Sequence, residues 1–177
     1  MDITTTSDSD DFSYLVRDLN TIIDNNSLPF EALRKCLGRI CGFLKWPVGH
    51  VYILDPDEQV LKSSKVWFAA NAKNYYPFIK ESFDTNIEVD DGLVGRAIYQ
   101  QSSLWIDDLH SFENYKRWET ARNTLKSGIA IPVIQDDGPQ GVIEFYDNQR
   151  RPNKPEILNN LTIITNQMGT LLPQNRL

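Results

Sequence analysis

Residues 91–109 read D-G-L-V-G-R-A-I-Y-Q-Q-S-S-L-W-I-D-D-L and combine turn, helix and strand signals. Asp91-Gly92 is typical of a turn, because glycine accepts a positive φ at little cost. The apolar residues that follow recur at helical spacing: Leu93, Val94, Ala97 and Ile98. Leu104–Ile106 is typical of a short strand. A turn, a short helix and a strand in such close succession indicate the cover of a cavity.

Gly92 and Gly95 do not form a nucleotide-binding motif. Their GxxG spacing lacks the Lys-Ser/Thr pair of a phosphate loop and the third glycine of a dinucleotide fingerprint. We therefore predict that these glycines serve the turn and the local packing.

The composition is that of an ordinary globular domain. The chain has 177 residues, of which 41% are hydrophobic and 24% charged, and this length suits one buried core. The net charge of −6 argues against nucleic acid as a partner. No apolar run approaches the roughly 20 residues that span a bilayer, and the acidic N-terminus is unlike a signal peptide. We expect a cytoplasmic protein with no membrane partner.

The sequence offers few metal ligands. Cys36 and Cys41 are five residues apart, which matches no common zinc spacing, and only His50 and His110 could supply imidazole. We expect no metal site, and we expect both cysteines to be buried and reduced.

Three stretches show the heptad rhythm of helices that pack along a seam. The first begins near Asp11 and ends near Asn25, the second lies between Ser27 and Pro47, and the third starts near Pro155. Their apolar residues are Phe12, Leu15, Val16, Leu19, Ile22 and Ile23; Phe30, Leu33, Leu37, Ile40 and Leu44; and Ile157, Leu161, Ile164, Met168 and Leu171. We expect these helices to share one face of a sheet or to form a dimer seam.

The β-strand signals fall at residues 49–55, 61–69, 104–106, 127–134 and 140–147. Turn residues join two pairs into hairpins, at Asp55–Gln59 and at Asp137-Gly138. Shorter helices are predicted near Tyr76 and over residues 112–125. This order of elements predicts an α+β fold with a central antiparallel sheet of about five or six strands.

The order and spacing of these motifs resemble those of GAF domains, the small-molecule-sensing modules of many bacterial signalling proteins. The segments that carry the resemblance are G-L-V-G-R-A-I at 92–98, S-S-L-W-I-D-D-L at 102–109, S-G-I-A-I-P-V-I at 127–134 and G-V-I-E-F-Y-D at 141–147. The sequence is most similar to GAF domains found near histidine kinases and diguanylate cyclases.

The resemblance implies a particular domain plan. The GAF-like domain would span residues 27–172, after a flexible acidic lead at 1–10 and an N-terminal helix at 11–26, with a tail at 173–177. Helices 1 and 2 and the C-terminal helix would lie on one face of the sheet. Short helices and loops would roof a ligand pocket on the other face.

Glu144 is the best candidate for a polar anchor in that pocket. Side chains alternate along a strand, so Glu144 shares a face with Val142 and Tyr146, and a carboxylate on an apolar strand needs a partner. Gly128 and Ala130 leave room on one face of the neighbouring predicted strand. The alternative is a structural ion pair between Glu144 and one arginine among Arg96, Arg117 and Arg122.

Several aromatic side chains could stack on a planar ligand, and they could equally fill the core. The ligand-binding residues predicted from the sequence are Tyr52, Trp67, Trp105, Tyr115, Trp118, Arg122, Gly128, Ala130, Glu144 and Tyr146.

No nucleophile lies in a recognisable elbow beside a histidine, and no carboxylate pair has catalytic spacing. We expect a protein that is not an enzyme.

The cofactor stays unknown, but the resemblance argues against several ligand classes. Bilin-binding GAF domains carry a pocket cysteine, and no cysteine follows Trp46, so covalent bilin is not expected. Haem would need an axial histidine, for which His110 is a weak candidate. GAF enzymes that reduce free methionine sulfoxide need pocket cysteines and an acidic residue where Gly128 stands. Cyclic-nucleotide GAF domains carry an Asn-Lys-Phe-Asp-Glu set late in the fold. Here Asn153-Lys154 is followed by Pro155 without the matching Phe and Asp-Glu, so a cyclic nucleotide is unsupported as the ligand.

We therefore expect a non-enzymatic sensory or regulatory module of the kind found in two-component systems. It would bind an unidentified small molecule and signal through a homodimer or a partner protein. The alternative is a ligand-free scaffold that dimerises through its terminal helices and whose pocket is filled by its own aromatic residues.

Overall fold

A computed structural model of the chain describes residues 8–25, 27–112 and 116–173. Within these residues a six-stranded sheet has the order β3-β2-β1-β6-β5-β4, and each neighbouring pair is antiparallel. The strands are β1 Val48–Asp55, β2 Val60–Ala69, β3 Ile87–Glu88, β4 Leu104–Ile106, β5 Ser127–Gln135 and β6 Gly138–Asp147. The predicted α+β class and antiparallel sheet are confirmed. Strand β3 escaped the sequence analysis because two residues are too few to show alternation.

Six α-helices surround the sheet in the described part of the chain. They are α1 Asp8–Asp24, α2 Pro29–Leu44, α3 Ala72–Asp84, α4 Gly92–Gln100, α5 Trp118–Ala121 and α6 Pro155–Gln167. Short 3₁₀ turns cover Leu109–Ser111 and Met168–Leu171. No helix in these ranges is both long and apolar enough to cross a membrane.

The heptad residues of α1, α2 and α6 pack on one face of the sheet. Leu19 of α1, Leu37 of α2 and Ile164 of α6 are fully buried in one cluster, together with Ile131 and Phe145 of the sheet. This confirms the predicted side of the sheet for the three helices. It also means that the apolar stripes are buried largely within a single chain.

Two predicted helices begin or end elsewhere. Helix α2 begins at Pro29, and Leu28 at its N-cap position makes no side-chain capping hydrogen bond. Helix α3 begins at Ala72 rather than near Tyr76, and it tolerates Pro77 at the loss of one backbone hydrogen bond.

The prediction of a helix over residues 112–125 is wrong for the described part of that range. Only Trp118–Ala121 is α-helical, and turns follow it. Asn123 and Thr124 have low helix propensity, which favours an early end.

Helices α3 and α4 cover the second face of the sheet, and α4 begins at the turn predicted from Asp91-Gly92. Gly92 has a φ of 59°, as the turn requires. Gly95 allows close packing, because a Cβ there would collide with the backbone carbonyl of Glu88. Leu93 of α4 lies over Gly128 of β5. The predicted roof over this face is therefore present.

Candidate functional site

Two adjacent strands, β1 and β6, present polar side chains to the roof. His50 of β1 pairs in register with Glu144 of β6, and Glu144 pairs with Ala130 of β5. Alternation brings Tyr52 and Tyr146 to the same face. The structure therefore gathers a carboxylate, an imidazole and two phenols under the roof, all of them fully buried.

Arg117 enters this group from the segment that precedes α5. Its Nη1 donates to Glu144 Oε1 at 2.8 Å and its Nη2 donates to Glu144 Oε2 at 2.7 Å. Nη1 also donates to Ser82 Oγ of α3 at 2.9 Å, and Nη2 donates to Tyr146 Oη at 3.1 Å. The Tyr146 hydroxyl in turn donates to Glu144 Oε2 at 2.7 Å. We refer to His50, Tyr52, Ser82, Arg117, Glu144 and Tyr146 as the Glu144 cluster.

Aromatic rings surround the guanidinium. The Arg117 Cζ atom lies 4.7 Å from the ring centre of Phe78, 5.2 Å from that of Tyr52 and 5.8 Å from that of Tyr146. These distances fall within the range of cation–π attraction, which is stronger when the cation is desolvated. Glu144 and the rings together form a cage for a planar cation.

His50 holds the opposite side of the carboxylate. Its Nδ1 lies 2.9 Å from Glu144 Oε1 and its Nε2 lies 2.8 Å from Ser63 Oγ. Burial lowers the pKa of His50 to about 4, against the opposing effect of Glu144. The imidazole is therefore neutral at pH 7, so that Nδ1–H donates to Glu144 and Nε2 accepts from the Ser63 hydroxyl.

An irregularity in β2 positions the partners of His50. The register of β1 with β2 shifts between His50 and Tyr52, and Lys65 has a φ of 63°. The shift brings Trp67 opposite His50, and their rings stack at 3.8 Å with 17° between their planes. It also leaves Ser63 within reach of Nε2.

Opposing influences set the ionisation of Glu144. Burial alone would raise the pKa of this carboxyl group, but the charge of Arg117 and the hydrogen bonds from His50 and Arg117 together lower it to about 2. Glu144 is thus an ionised carboxylate with a guanidinium as its counter-ion.

Two polar atoms beside His50 have no hydrogen-bond partner among the described residues. These are the hydroxyl of Tyr52 and the indole nitrogen of Trp67, both buried. Burial raises the pKa of the Tyr52 phenol, and the charge of Arg117 opposes that rise. Buried donors of this kind are usually satisfied, so they mark a place where a further polar group could bind.

The structure does not bring every predicted residue to the cluster. Trp105 lies on the other face of the sheet, edge-on to Trp46 at 5.3 Å, and its Nε1 donates to the Arg151 carbonyl at 2.9 Å. Arg122 lies at the surface, where it pairs with Glu119 at 3.2 Å. Strand alternation accounts for the position of Trp105 on the opposite face. Arg122 lies outside the cluster because α5 ends before it, at Ala121.

The remaining predicted residues lie in or near the cluster, except for Trp118 and Tyr115. Gly128 and Ala130 lie beneath it, and a Cβ at Gly128 would come within 2.9 Å of the Tyr146 ring. Trp118 is half-buried and edge-on to His110 at 4.9 Å. Tyr115 lies outside the described residues.

The sequence analysis did not select His50, Phe78 or Ser82 as site residues, and it named Arg117 only as one of three candidate partners for Glu144. The sequence could have indicated His50, because residues two apart on a strand share a face and His50 is two residues before the predicted site residue Tyr52. Phe78 and Ser82 follow one another at helical spacing, which does not identify what their face covers.

Neither the cysteines nor the open grooves belong to the cluster. Cys36 and Cys41 are buried in the opposite core. No group of three metal-ligating side chains occurs within the described ranges. Three surface grooves have volumes of about 370 to 510 Å³. They are lined by residues of α1, α2, β2, the segments that follow α2 and β6, and the C-terminal region, and none of the described residues in these linings belongs to the cluster.

The family profile of the GAF domain matches residues 30–172. The chain belongs to the GAF domain family. Its fold is similar to that of the GAF domain of a phosphoenolpyruvate-protein phosphotransferase from Coxiella burnetii, with 14% identity over 93% of this chain and 94% of that chain and a TM-score of 0.77. The corresponding domain from Acinetobacter has 14% identity over 95% and 94% of the two chains, with a TM-score of 0.72.

Some of the similar structures are enzymes. The free methionine-R-sulfoxide reductase of Neisseria meningitidis, solved with its substrate, has 11% identity over 90% of this chain and 84% of that chain, with a TM-score of 0.68. Identities this low establish the shared GAF fold alone. No curated protein sequence matches this GAF domain.

Proposed function

We propose that this GAF domain is a cytoplasmic, non-enzymatic sensory or regulatory module that binds a small molecule at the Glu144 cluster. The observation that carries the proposal is the fully buried Glu144 carboxylate on the roof side of the sheet, held by Arg117 from the roof itself. Such an anchor links the state of the site to the conformation of the roof.

The signal would be a shift between two roof conformations. In the described conformation Arg117 ties the segment before α5 to β6 and to Ser82 of α3. A ligand that takes the place of Arg117 would release that segment, and the free energy of binding would be coupled to roof opening. The output would pass to a second copy or to a partner protein, as in two-component systems.

The position of the thiols supports a non-enzymatic role. The methionine sulfoxide reductases that share the fold depend on pocket cysteines, whereas Cys36 and Cys41 lie in the core on the other side of the sheet. Burial raises the pKa of the Cys36 thiol to about 12 and raises that of Cys41 as well, so thiolate is scarce at neutral pH. An assay for reduction of free methionine sulfoxide tests this directly, and turnover lost in a Cys36→Ser/Cys41→Ser variant would contradict the proposal.

Native mass spectrometry against a metabolite library tests ligand binding. We expect a saturable complex with the wild-type domain that is lost in Glu144→Gln. Glu119→Gln is the matched control, because Glu119 is an exposed carboxylate on α5, and it should retain binding. A complex that survives in Glu144→Gln would place the ligand elsewhere and would overturn the proposed site.

The second candidate function is a ligand-free scaffold. It is favoured by the complete burial of Arg117, Tyr52 and Tyr146, which fill the space under the roof. A dimer of this kind would need apolar residues left exposed on the terminal helices, such as Tyr14 of α1 and Ile163 of α6. Sedimentation of a dimer that binds no library compound would favour the scaffold. A monomer at high micromolar concentration would contradict it.

A further inference from the structure

We infer that the Glu144 cluster is a guanidinium-binding site, occupied here by Arg117, and that the ligand of this domain is a small guanidino compound that exchanges with Arg117. The inference rests on the proposed function, because it names the ligand class of the same site.

The charge of Glu144 restricts what can replace Arg117. The Glu144 carboxylate is fully buried. Besides Arg117, its titratable neighbour is His50, which is neutral at pH 7. A buried carboxylate that loses its counter-ion is strongly unfavourable. A neutral ligand would leave Glu144 unpaired, and an anionic ligand would add repulsion. A cationic replacement therefore best preserves the charge balance around Glu144.

The hydrogen-bond geometry selects a guanidinium over an ammonium. Two nitrogens of Arg117 donate in parallel to the two oxygens of Glu144, at 2.8 and 2.7 Å, and each donates to one further oxygen. A planar fork matches this arrangement, whereas an ammonium is a point charge that cannot reproduce it. The rings of Phe78, Tyr52 and Tyr146 around the cation favour a flat, weakly hydrated group.

The same site has donors that Arg117 does not use. These donors are the hydroxyl of Tyr52 and the indole nitrogen of Trp67. The ring centres of Tyr52 and Trp67 lie 4.5 and 3.8 Å from that of His50. Neither atom meets a hydrogen-bond partner in the described part of the chain. A guanidino compound with a second polar group that accepts hydrogen bonds would use these donors. This favours a compound such as arginine, whose carboxylate accepts hydrogen bonds, over free guanidinium.

The segment that carries Arg117 is suited to such an exchange. Lys116 is exposed and is held by an ion pair to Asp91 at 3.0 Å, and α5 has four residues. The chain that follows Arg117 is therefore held by few helical hydrogen bonds. The exposed Lys116 and the buried Arg117 also make the segment a reporter, because trypsin cleaves after both residue types once the chain opens.

Calorimetry with Arg117→Ala tests the ligand class. The probes are methylguanidine, agmatine and L-arginine, with methylammonium as the charge control and methylurea as the neutral control of the same shape. We expect saturable binding of the guanidino probes and a higher thermal midpoint, with affinity at least roughly tenfold above that of either control, since hydrogen bonds to charged groups are strong. Adding Glu144→Gln to Arg117→Ala should remove this preference.

The wild-type domain provides a second measurement if Arg117→Ala does not fold. Agmatine or L-arginine should bind it more weakly than the variant, because the native Arg117 competes, and should speed tryptic cleavage at residues 116–117. Equal affinity for methylguanidine and methylurea in Arg117→Ala, or a wild type that binds no guanidino probe, would overturn the inference. A neutral or anionic metabolite whose binding requires Glu144 would also overturn it and leave the proposed function standing.

Discussion

Arg117 and Glu144 form a two-point ion pair in which both side chains are completely excluded from solvent. The pair joins the roof segment to the centre of β6, so the same contact bears on stability and on the proposed site. Because each charge is buried, breaking the pair from one side leaves the other charge without a counter-ion. The consequences of that asymmetry can be measured.

Arg117→Met should destabilise the domain by about 3–5 kcal/mol, because it leaves the Glu144 carboxylate buried without its cation. Urea unfolding monitored by tryptophan fluorescence measures the change. Lys35→Ala is the control, since Lys35 and Glu31 form a half-exposed pair one helical turn apart on α2, and such pairs contribute about 0.5 kcal/mol or less. A loss for Arg117→Met no larger than that of the control would contradict the burial of this pair.

The double variant Arg117→Met/Glu144→Leu should be more stable than Arg117→Met alone. Replacing both charges with apolar groups removes the unpaired carboxylate, and such replacements of buried ion pairs are often neutral or stabilising. The same urea measurements complete the double-mutant cycle. Additive losses from the two substitutions would show that the charges do not interact in the folded domain.

Acidification should destabilise the domain through His50. In the unfolded chain the pKa of His50 is near 6.5, but in the folded domain burial lowers it to about 4. Protons therefore bind preferentially to the unfolded chain as the pH falls from 6.5 to 4, and the associated loss is on the order of 3 kcal/mol. Glu144 extends the loss below pH 4.5, because its folded-state pKa is about 2.

His50→Gln should abolish the part of this pH dependence that lies between pH 6.5 and 4. Stability measured across a pH series compares the variant with the wild type. His110→Gln serves as the control, since His110 is exposed on a 3₁₀ turn, and it should keep the wild-type profile. A His50→Gln profile that parallels the wild type would show that His50 is not buried in its neutral form.

Local patterns predicted the fold because its largest elements are long and regular. The heptad residues of α1, α2 and α6 identified the face that each helix buries, and alternation placed Glu144 beside Tyr146. The four-residue helix α5 and strand β3 were beyond these patterns, because neither completes enough periods to be recognised.

The candidate site was predictable only in its strands. Alternation separates the faces of one strand, but it does not give the register between strands. Trp105 lies opposite Ile129 on the face that α1, α2 and α6 cover. Among the three candidate arginines, the choice of Arg117 depends on the path of the segment before α5, which no periodicity describes. A non-local ion pair of this kind follows from the tertiary fold.

Both cysteines should resist modification in the folded domain. Cys36 and Cys41 of α2 are buried in the core, and burial raises the pKa of both thiols. A chromogenic thiol reagent at neutral pH should therefore react slowly with the native protein and label two thiols in denaturant. Fast labelling of the native domain would contradict this burial and would reopen the question of thiol chemistry.

Gly95→Ala should destabilise the domain by roughly 1–3 kcal/mol or more, as overpacking does. The loop before α4 wraps closely over Gly95, where Asp90 N donates to the Gly95 carbonyl at 2.9 Å and an added Cβ would collide with the backbone oxygen of Glu88. Thermal unfolding provides the measurement.

Gly42→Ala is the matched control, because Gly42 lies near the end of α2 and a Cβ there meets nothing within 4 Å. The control should be neutral or stabilise by about 0.5–1 kcal/mol, since alanine has the higher helix propensity. Equal effects at the two glycines would show that the stretch at 91–109 does not depend on close backbone packing at Gly95.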